Sequence, residues 1–568
     1  MFKKLSLLLF VILSVYADEL NILQREFKNE QDRIKELQDN TPKSNISLQS
    51  SSSDIQSKII QGEIPCFEID TITLDDKGNS KFQTYLADAL NKAGFKSGEC
   101  LGQKSINAII LAINNEIILN GYITSLVSIK PLNLKSRKID LDLNLGVIDK
   151  VSINNDDNQR HRAMLFTGFG ELEHNKTLNI RDIEQALENI QNATIGDVGI
   201  SLIPSNTPNS TNVLITRDAK TLPIYLNFNI DNHGSKETGR YQASSSISGT
   251  NLMGFNEIYT LSLSKAILNN EKTRLNDESK KGSSHNHYIN FNIPFGYFNL
   301  SYTNSRYSYS QIIAGANGLY KYSGASRNQM LGLSYLFYRD QSLKSSAFVN
   351  FFKRNSKNYI DEFELKNQRR VSAGYEIGFK NQINFTNSQL NSTITYKRGT
   401  GMLRALPAPE QSIGEGTSRM KIWLLDLGYK KQLNQNLSYD VALHAQYNKT
   451  PLTIQDRVSI GGLYSVRGFD GQMSLVGQKG VYIRNNLNYN YINNHIIYLA
   501  LDAGAVYSST SGYTGSNKLA GYGVGLKGSF KISQQTISYD LLAQAPIYKP
   551  EHFKTDKLNL SFRVGVGW

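Results

Sequence analysis

From Leu222 to the last residue, helical spacing disappears and runs with apolar side chains at every second position take over. In "YLNFNID", Leu226, Phe228 and Ile230 alternate with Asn227, Asn229 and Asp231. In "YINFNIP", Ile289, Phe291 and Ile293 alternate with Asn290 and Asn292. "LSYDVALHAQY" sets Leu437, Tyr439, Val441, Leu443 and Tyr447 against Ser438, Asp440, His444 and Gln446. The final run sets Leu558, Leu560, Phe562, Val564, Val566 and Trp568 against Asn559, Ser561, Arg563, Gly565 and Gly567. A period of two places the two sets on opposite faces of a strand.

Before Leu222 the rhythm is mixed. "CFEIDTITL" reads as a strand, and "FQTYLADALNKAG" as a helix closed by Gly94. "SINAIILAINNEIILNGY" is a second helix ending at Gly121, and "SLVSIKP" and "KIDLDLNLG" are strands. The β-α-α-β-β order recurs more loosely: "IDKVSIN" is a strand, "HRAMLFTGF" and "LNIRDIEQALENIQN" are helices, and "GISLIPS" and "NVLITRD" are strands. One supersecondary unit is repeated, ending near Arg217.

The chain begins with Lys3-Lys4, an apolar run from Leu5 to Tyr16, and Val15-Tyr16-Ala17. This pattern predicts a signal peptide over 1–17. Asp18 to Gln38 reads as a thinly apolar amphipathic helix, with Leu20, Leu23, Phe27, Ile34 and Leu37 at three- and four-residue steps. A Ser-rich linker, 40–63, follows. A lone helix on such a tether must lodge in something larger.

Beyond the leader, no apolar run is long enough for a membrane helix, which does not exclude a barrel. Strands with one apolar and one polar face suit a soluble sandwich or a membrane barrel. The barrel is favoured because Asn, Asp, His and Arg on the polar face suit a wet lumen, and because Tyr, Phe and Trp cap the apolar face. A last strand ending on an aromatic, Trp568, matches what outer-membrane barrels show. Region 219–568, at roughly 20–22 residues per strand with its connection, predicts about 16 strands.

Composition adds limits. The 568 residues carry a formal net charge of +13, spread along the chain without a basic cluster or nucleic-acid-binding signature, so nucleic acid is not an expected partner. Two cysteines, Cys66 and Cys100, in an exported chain predict one disulfide, and two Cys without nearby His cannot fill a zinc shell. "GVGLKG", Gly523 to Gly528, lacks a following helix, so its glycines read as lumen-facing strand residues rather than a dinucleotide loop. "HNH", His285 to His287, has no third ligand nearby and reads as a loop-to-strand junction. No catalytic constellation, metal site or cofactor site is expected. One loop stands out: "GGLYSVRGFDG", Gly461 to Gly471, places a lone arginine among four glycines between two strand-like runs.

Taken in order, these segments resemble the two-partner secretion outer-membrane transporters (TpsB, haemolysin-activator type), whose superfamily includes the barrel-assembly insertases. "IPCFEIDTITL" resembles the start of that family's first POTRA domain, and "GYITSLVSIKPLNLKSRKIDLDLNLGVIDKVSI" its end and the junction to the second. "LNIRDIEQALENIQNA" resembles the second domain's helix, and "DNHGSKETGRYQASSSISGTNLMGFNEIYTLSLS" the first barrel hairpin. "PLTIQDRVSIGGLYSVRGFDGQ" carries the V-R-G-[FY] motif of the sixth extracellular loop as Val466, Arg467, Gly468 and Phe469.

The resemblance implies a transmembrane β-barrel preceded by two periplasmic POTRA domains, 64–146 and 147–218, with 18–39 as a plug helix in the pore. It implies that the loop around 461–475 folds into the pore. Arg467 then meets an acid in a downstream strand, which "LALDAGAVY" supplies as Asp502. The cysteine pair falls in the first POTRA domain. The implied activity is transport: an unfolded exoprotein with an N-terminal secretion domain is captured in the periplasm and passed outward. Outer-membrane lipid, and the barrel-assembly machinery during biogenesis, are the other expected partners. An assembly insertase is the alternative, but insertases usually carry more POTRA domains and lack a leading helix.

Overall fold

A computed structural model describes residues 46, 48, 58–131, 136–156, 158–171, 174–219, 222–268, 273–275, 278–315, 318–507 and 517–568. The expected leader, 1–17, and the expected plug helix, 18–39, lie outside the described residues.

The first α/β unit is a three-stranded sheet in the order Thr71–Asp75, Lys138–Asn144, Leu126–Ile129. Helices Lys81–Ala93 and Gln103–Leu119 bury Phe82 and Leu86, and Ile109, Ile113 and Ile117, in its core. The single strand expected over "CFEIDTITL" is split at Asp70 into Phe67–Ile69 and Thr71–Asp75, and Phe67–Ile69 pairs antiparallel with Glu99–Leu101, a strand missing from the sequence expectation, setting Glu68 opposite Cys100. Cys66 and Cys100 are joined in a disulfide there.

The second unit repeats the plan. Its sheet runs Val147–Ile153, Ser210–Ala219, Gly196–Pro204, and helices Gln159–Phe169 and Ile180–Asn192 carry side-chain N-caps, Asn158 and Asn179. Such a cap satisfies an amide that the first helical turn leaves unpaired. Asn179 also joins the two units. Its side chain donates to the Asn120 carbonyl at 3.2 Å, and the Ile180 N–H donates to the Gly121 carbonyl at 2.8 Å.

Region 224–567 closes into an antiparallel barrel of sixteen strands. Closure joins Ile224–Asp231 to Asn559–Gly567, with Gly567 opposite Asn227. The Trp568 N–H donates to the Leu226 carbonyl at 2.9 Å, and its ring meets Phe228 edge-on at 5.7 Å. Closure leaves no unpaired edge, which hydrocarbon would penalise.

The alternation of the sequence becomes outside and inside. Leu499 and Leu501 are 49% and 54% exposed on the outer wall, while Ala500 and Asp502 between them are almost fully buried. Two sequence readings change. Gly523 and Gly525 are buried on the inner face, but Gly528 shares the outward phase of Tyr522 and Val524 and pairs with His495. The "GVGLKG" spacing runs odd, odd, even, so its three glycines cannot all face the lumen. His285 and His287 lie inside strand Ser283–Phe295 on its exposed face rather than at a junction. No group of three metal-ligating side chains occurs among the described residues.

The second α/β unit rests on the barrel turns. Phe166 meets Phe295 at 5.1 Å, the Asn189 side chain donates to the Gly296 carbonyl at 2.9 Å, and Asn256 donates to Met164 O and Thr167 Oγ1.

Candidate functional site: a loop held against the inner wall

Between strands Leu437–Asn448 and Lys479–Ile492 the chain makes a long excursion. Its inner part, 461–474, is bracketed by a small hairpin, Val458–Ile460 paired with Leu475–Gly477. Gly461 leaves this hairpin at φ +105°, and Gly468 bends the tip at φ +108°, a region costly for any residue with a Cβ. Val466 and Phe469 are buried in a cluster with Ile460, Leu519 and Phe553; the Phe469 and Phe553 rings meet at 5.3 Å. The apolar side chains thus carry the loop inward and leave Arg467 facing the wall.

Arg467 and Asp502 meet there. Arg467 Nε donates to Asp502 Oδ2 at 2.6 Å and Nη2 to Oδ1 at 2.7 Å, so the guanidinium fork engages both carboxylate oxygens. The Arg467 backbone N–H also donates to Oδ2, at 3.0 Å. The remaining donors are matched: Nη1 to Asn486 Oδ1 at 2.7 Å and Nη2 to the Asn485 carbonyl at 3.1 Å. Both side chains are almost wholly removed from water. An unpaired charge in that position would be costly, so the pair and its hydrogen bonds belong together.

Several participants had not been singled out from the sequence. Arg484 lies opposite Asp502 in register, and its Nε is 3.9 Å from Asp502 Oδ2 without a hydrogen bond. Gly521 forms the floor beneath the tip: a Cβ there would lie 2.0 Å from the Arg467 carbonyl oxygen. Gln544 accepts from the Gly468 N–H at 2.9 Å, and Asn559 donates to the Gly468 carbonyl at 3.2 Å. The one sequence sign of this floor is the phase shared by Gly521, Gly523 and Gly525, which leaves one stripe of wall without side chains. Farther along the loop, Arg354 Nη1 donates to the Gln455 carbonyl at 3.1 Å, and Tyr464 OH accepts from Arg563 at 3.1 Å.

A closed sixteen-stranded barrel with two linked α/β modules, the second seated at one rim, and an arginine loop bonded to its inner wall is a transmembrane transporter barrel with appended periplasmic modules. The profile for haemolysin secretion/activation protein ShlB/FhaC/HecB matches residues 209–528, a ShlB-type POTRA profile matches 67–146, and a further POTRA profile matches 147–204. The chain belongs to this ShlB/FhaC/HecB family of two-partner secretion outer-membrane transporters. It is similar to the outer membrane transporter CdiB-2 of Burkholderia pseudomallei, 28% identical over 89% of this chain and 87% of that protein. It is also similar to the hemolysin transporter protein HpmB of Proteus mirabilis, 21% identical over 80% of this chain and 78% of that one. In fold it matches CdiB from Acinetobacter baumannii with a TM-score of 0.81 at 23% identity, covering 95% of this chain and 98% of that one. The barrel resides in the outer membrane, with the POTRA domains in the periplasm.

Proposed function

We propose that this transporter captures an unfolded exoprotein at its POTRA domains and passes it through the barrel to the cell surface, without a catalytic step. The observation that carries this reading is the Arg467–Asp502 contact within a family of two-partner secretion transporters. The loop closes on the wall through hydrogen bonds, an ion pair and apolar packing, all of which can open and reform. The polar inner face offers a wet path, and an exposed sheet edge in a POTRA domain can accept an extended client by strand addition. The assembly-insertase alternative is not favoured by the family match.

The test is co-expression with candidate exoproteins encoded beside the transporter. The expected result is client outside the cell only when the transporter is present, with loss on deleting 64–218. Equal release without the transporter would refute the reading.

A further inference from the structure

Four neighbouring barrel strands, Ile258–Leu268, Ser283–Phe295, Phe298–Gly315 and Gly318–Arg339, carry basic side chains on their outer face. Lys265, His285, His287, Arg306 and Arg327 are all exposed there, in phase with Leu263, Ile289, Leu300 and Leu331 of the outer wall. Register gathers them. Lys265 is opposite His285, His287 is opposite Arg306, and Arg306 is opposite Arg327. The His285 and His287 rings lie 5.7 Å apart. The "HNH" run, which completes no metal site, thus belongs to a row of cationic and protonatable groups.

No acid faces this row. The outward positions opposite its members are Leu263, Ser308 and Asn355, and the next outward pair is Asn304 and Gln329. Arg327 Nε donates to Asn304 Oδ1 at 2.8 Å, and none of the five basic side chains makes an ion pair among the described residues. Like charges directly across a strand pair repel, and Arg306 and Arg327 are placed in that way. An anion lying over the row would turn the repulsion into shared attraction.

The strands also fix the height of the row. Phe295, Phe298 and Tyr335 mark one end of the outer face, and His287, Arg306 and Arg327 each lie eight residues farther along their strands. Eight residues at about 3.4 Å each, on a strand tilted by about 40°, rise roughly 20 Å, most of the apolar band of such a barrel. The second POTRA domain docks at the aromatic end, through Phe166 on Phe295, so that end is periplasmic. The basic row therefore stands at the opposite edge, level with the headgroups of the outer leaflet. Arg and Lys on a lipid-facing wall cost little only near such an interface.

The outer leaflet of a bacterial outer membrane is built from a phosphorylated glycolipid, lipid A, whose diglucosamine carries a phosphate at each end. The row spans three strand steps of about 4.8 Å, roughly 14 Å, wide enough to meet both phosphates of one headgroup. A guanidinium fork matches phosphate with two parallel hydrogen bonds.

We propose that Lys265, His285, His287, Arg306 and Arg327 form a binding site for the phosphorylated headgroup of an outer-leaflet glycolipid of the lipid A class, whose acyl chains lie along Leu263, Leu300 and Leu331. The site is on the outer wall, away from the client path, and stands independently of the transport reading. It holds these four strands at a fixed height in the leaflet.

The test is native mass spectrometry of the full-length transporter, stripped of lipid in detergent and titrated with lipid A. Arg306→Gln/Arg327→Gln should bind about ten-fold more weakly than wild type, because two charge-assisted contacts are lost. Arg306→Lys/Arg327→Lys, which keeps both charges, should retain most of the binding. Heat-dependent mobility on electrophoresis checks that each barrel is folded. Lipid A without its phosphates should bind wild type no better than it binds the Gln variant, and this arm tests the site on the native sequence. Phosphatidylglycerol measures the attraction of any anionic lipid, and inorganic pyrophosphate that of phosphate without a lipid; neither should displace lipid A at equal concentration. Equal binding of lipid A by wild type and the Gln variant would overturn the proposal. So would equal binding of the dephosphorylated lipid by wild type, or displacement by either competitor.

Discussion

Asp502 is shared by two cations, and this predicts unequal damage from removing either member of the loop pair. In Arg467→Ala the carboxylate keeps the residue 467 N–H and the Asn485 N–H, the latter at 3.1 Å, and Arg484 stands 3.9 Å away. At an effective dielectric of about 20, opposite charges near 4 Å attract by roughly 4 kcal/mol, so Arg484 can replace much of the lost attraction. In Asp502→Ala, Arg467 keeps only the neutral acceptors Asn486 Oδ1 and the Asn485 carbonyl, and it then faces Arg484 across a bare wall. Breaking a buried pair costs about 3–5 kcal/mol. Arg467→Ala should fall at the low end of that range and Asp502→Ala at the high end. Since about 1.4 kcal/mol is a factor of ten, either change should undock the loop almost completely. The assay is client in the medium, normalised to folded transporter in the outer membrane. Secretion should fall sharply in both variants, further in Asp502→Ala, and the double variant should be no worse than Asp502→Ala alone. Arg484→Gln should be mild alone and severe beside Arg467→Ala. Losses that multiply in the Arg467→Ala/Asp502→Ala double variant would refute the pairing and point to Arg467 acting on the client.

Gly521→Ala should lift the loop tip, because its Cβ would meet the Arg467 carbonyl oxygen at 2.0 Å; protease added to intact cells should then cut the loop, and unchanged protection would count against the docking. Replacing Cys66 and Cys100 by Ser opens a cross-link between residues 34 apart and should cost about 3–4 kcal/mol, read as a lower urea midpoint, whereas free thiols in the native protein by mass spectrometry would remove the premise. Deleting Asp18 to Gln38 should leave a folded barrel with higher conductance in planar bilayers; unchanged conductance would remove the plug assignment. Lys130, and next Lys77, hold the Asp75 carboxyl down at about 2, below its unfolded value of about 3.9. That contribution is present at neutral pH and is lost as pH falls through about 2, so acid unfolding of wild type and Asp75→Asn should converge at the acid end.

The period-two runs determined strands with one apolar and one polar face, and the Asn, Asp, His and Arg of the polar face with the aromatic caps of the apolar face favoured a membrane barrel over a sandwich. The helix-then-strand repeat likewise determined two α/β units, and the leading Lys-Lys-apolar run pointed to export. Register belonged to the tertiary structure. Arg484 reads as one more lumen-phase cation until pairing sets it opposite Asp502, and Gly521 reads as a strand glycine until the loop lies on it. The off-phase Gly528 shows the limit of a motif read without its neighbours. The basic row on the outer wall was not legible at all, since His287, Arg306 and Arg327 sit on three strands and meet only in register. Glu184 and Arg339, which tie the second POTRA domain to the barrel, are 155 positions apart and belong to different bodies. Local patterning records which face of each element is apolar. It cannot record which distant element supplies the missing partner, because that choice follows from closure of the barrel and docking of the domain on its rim.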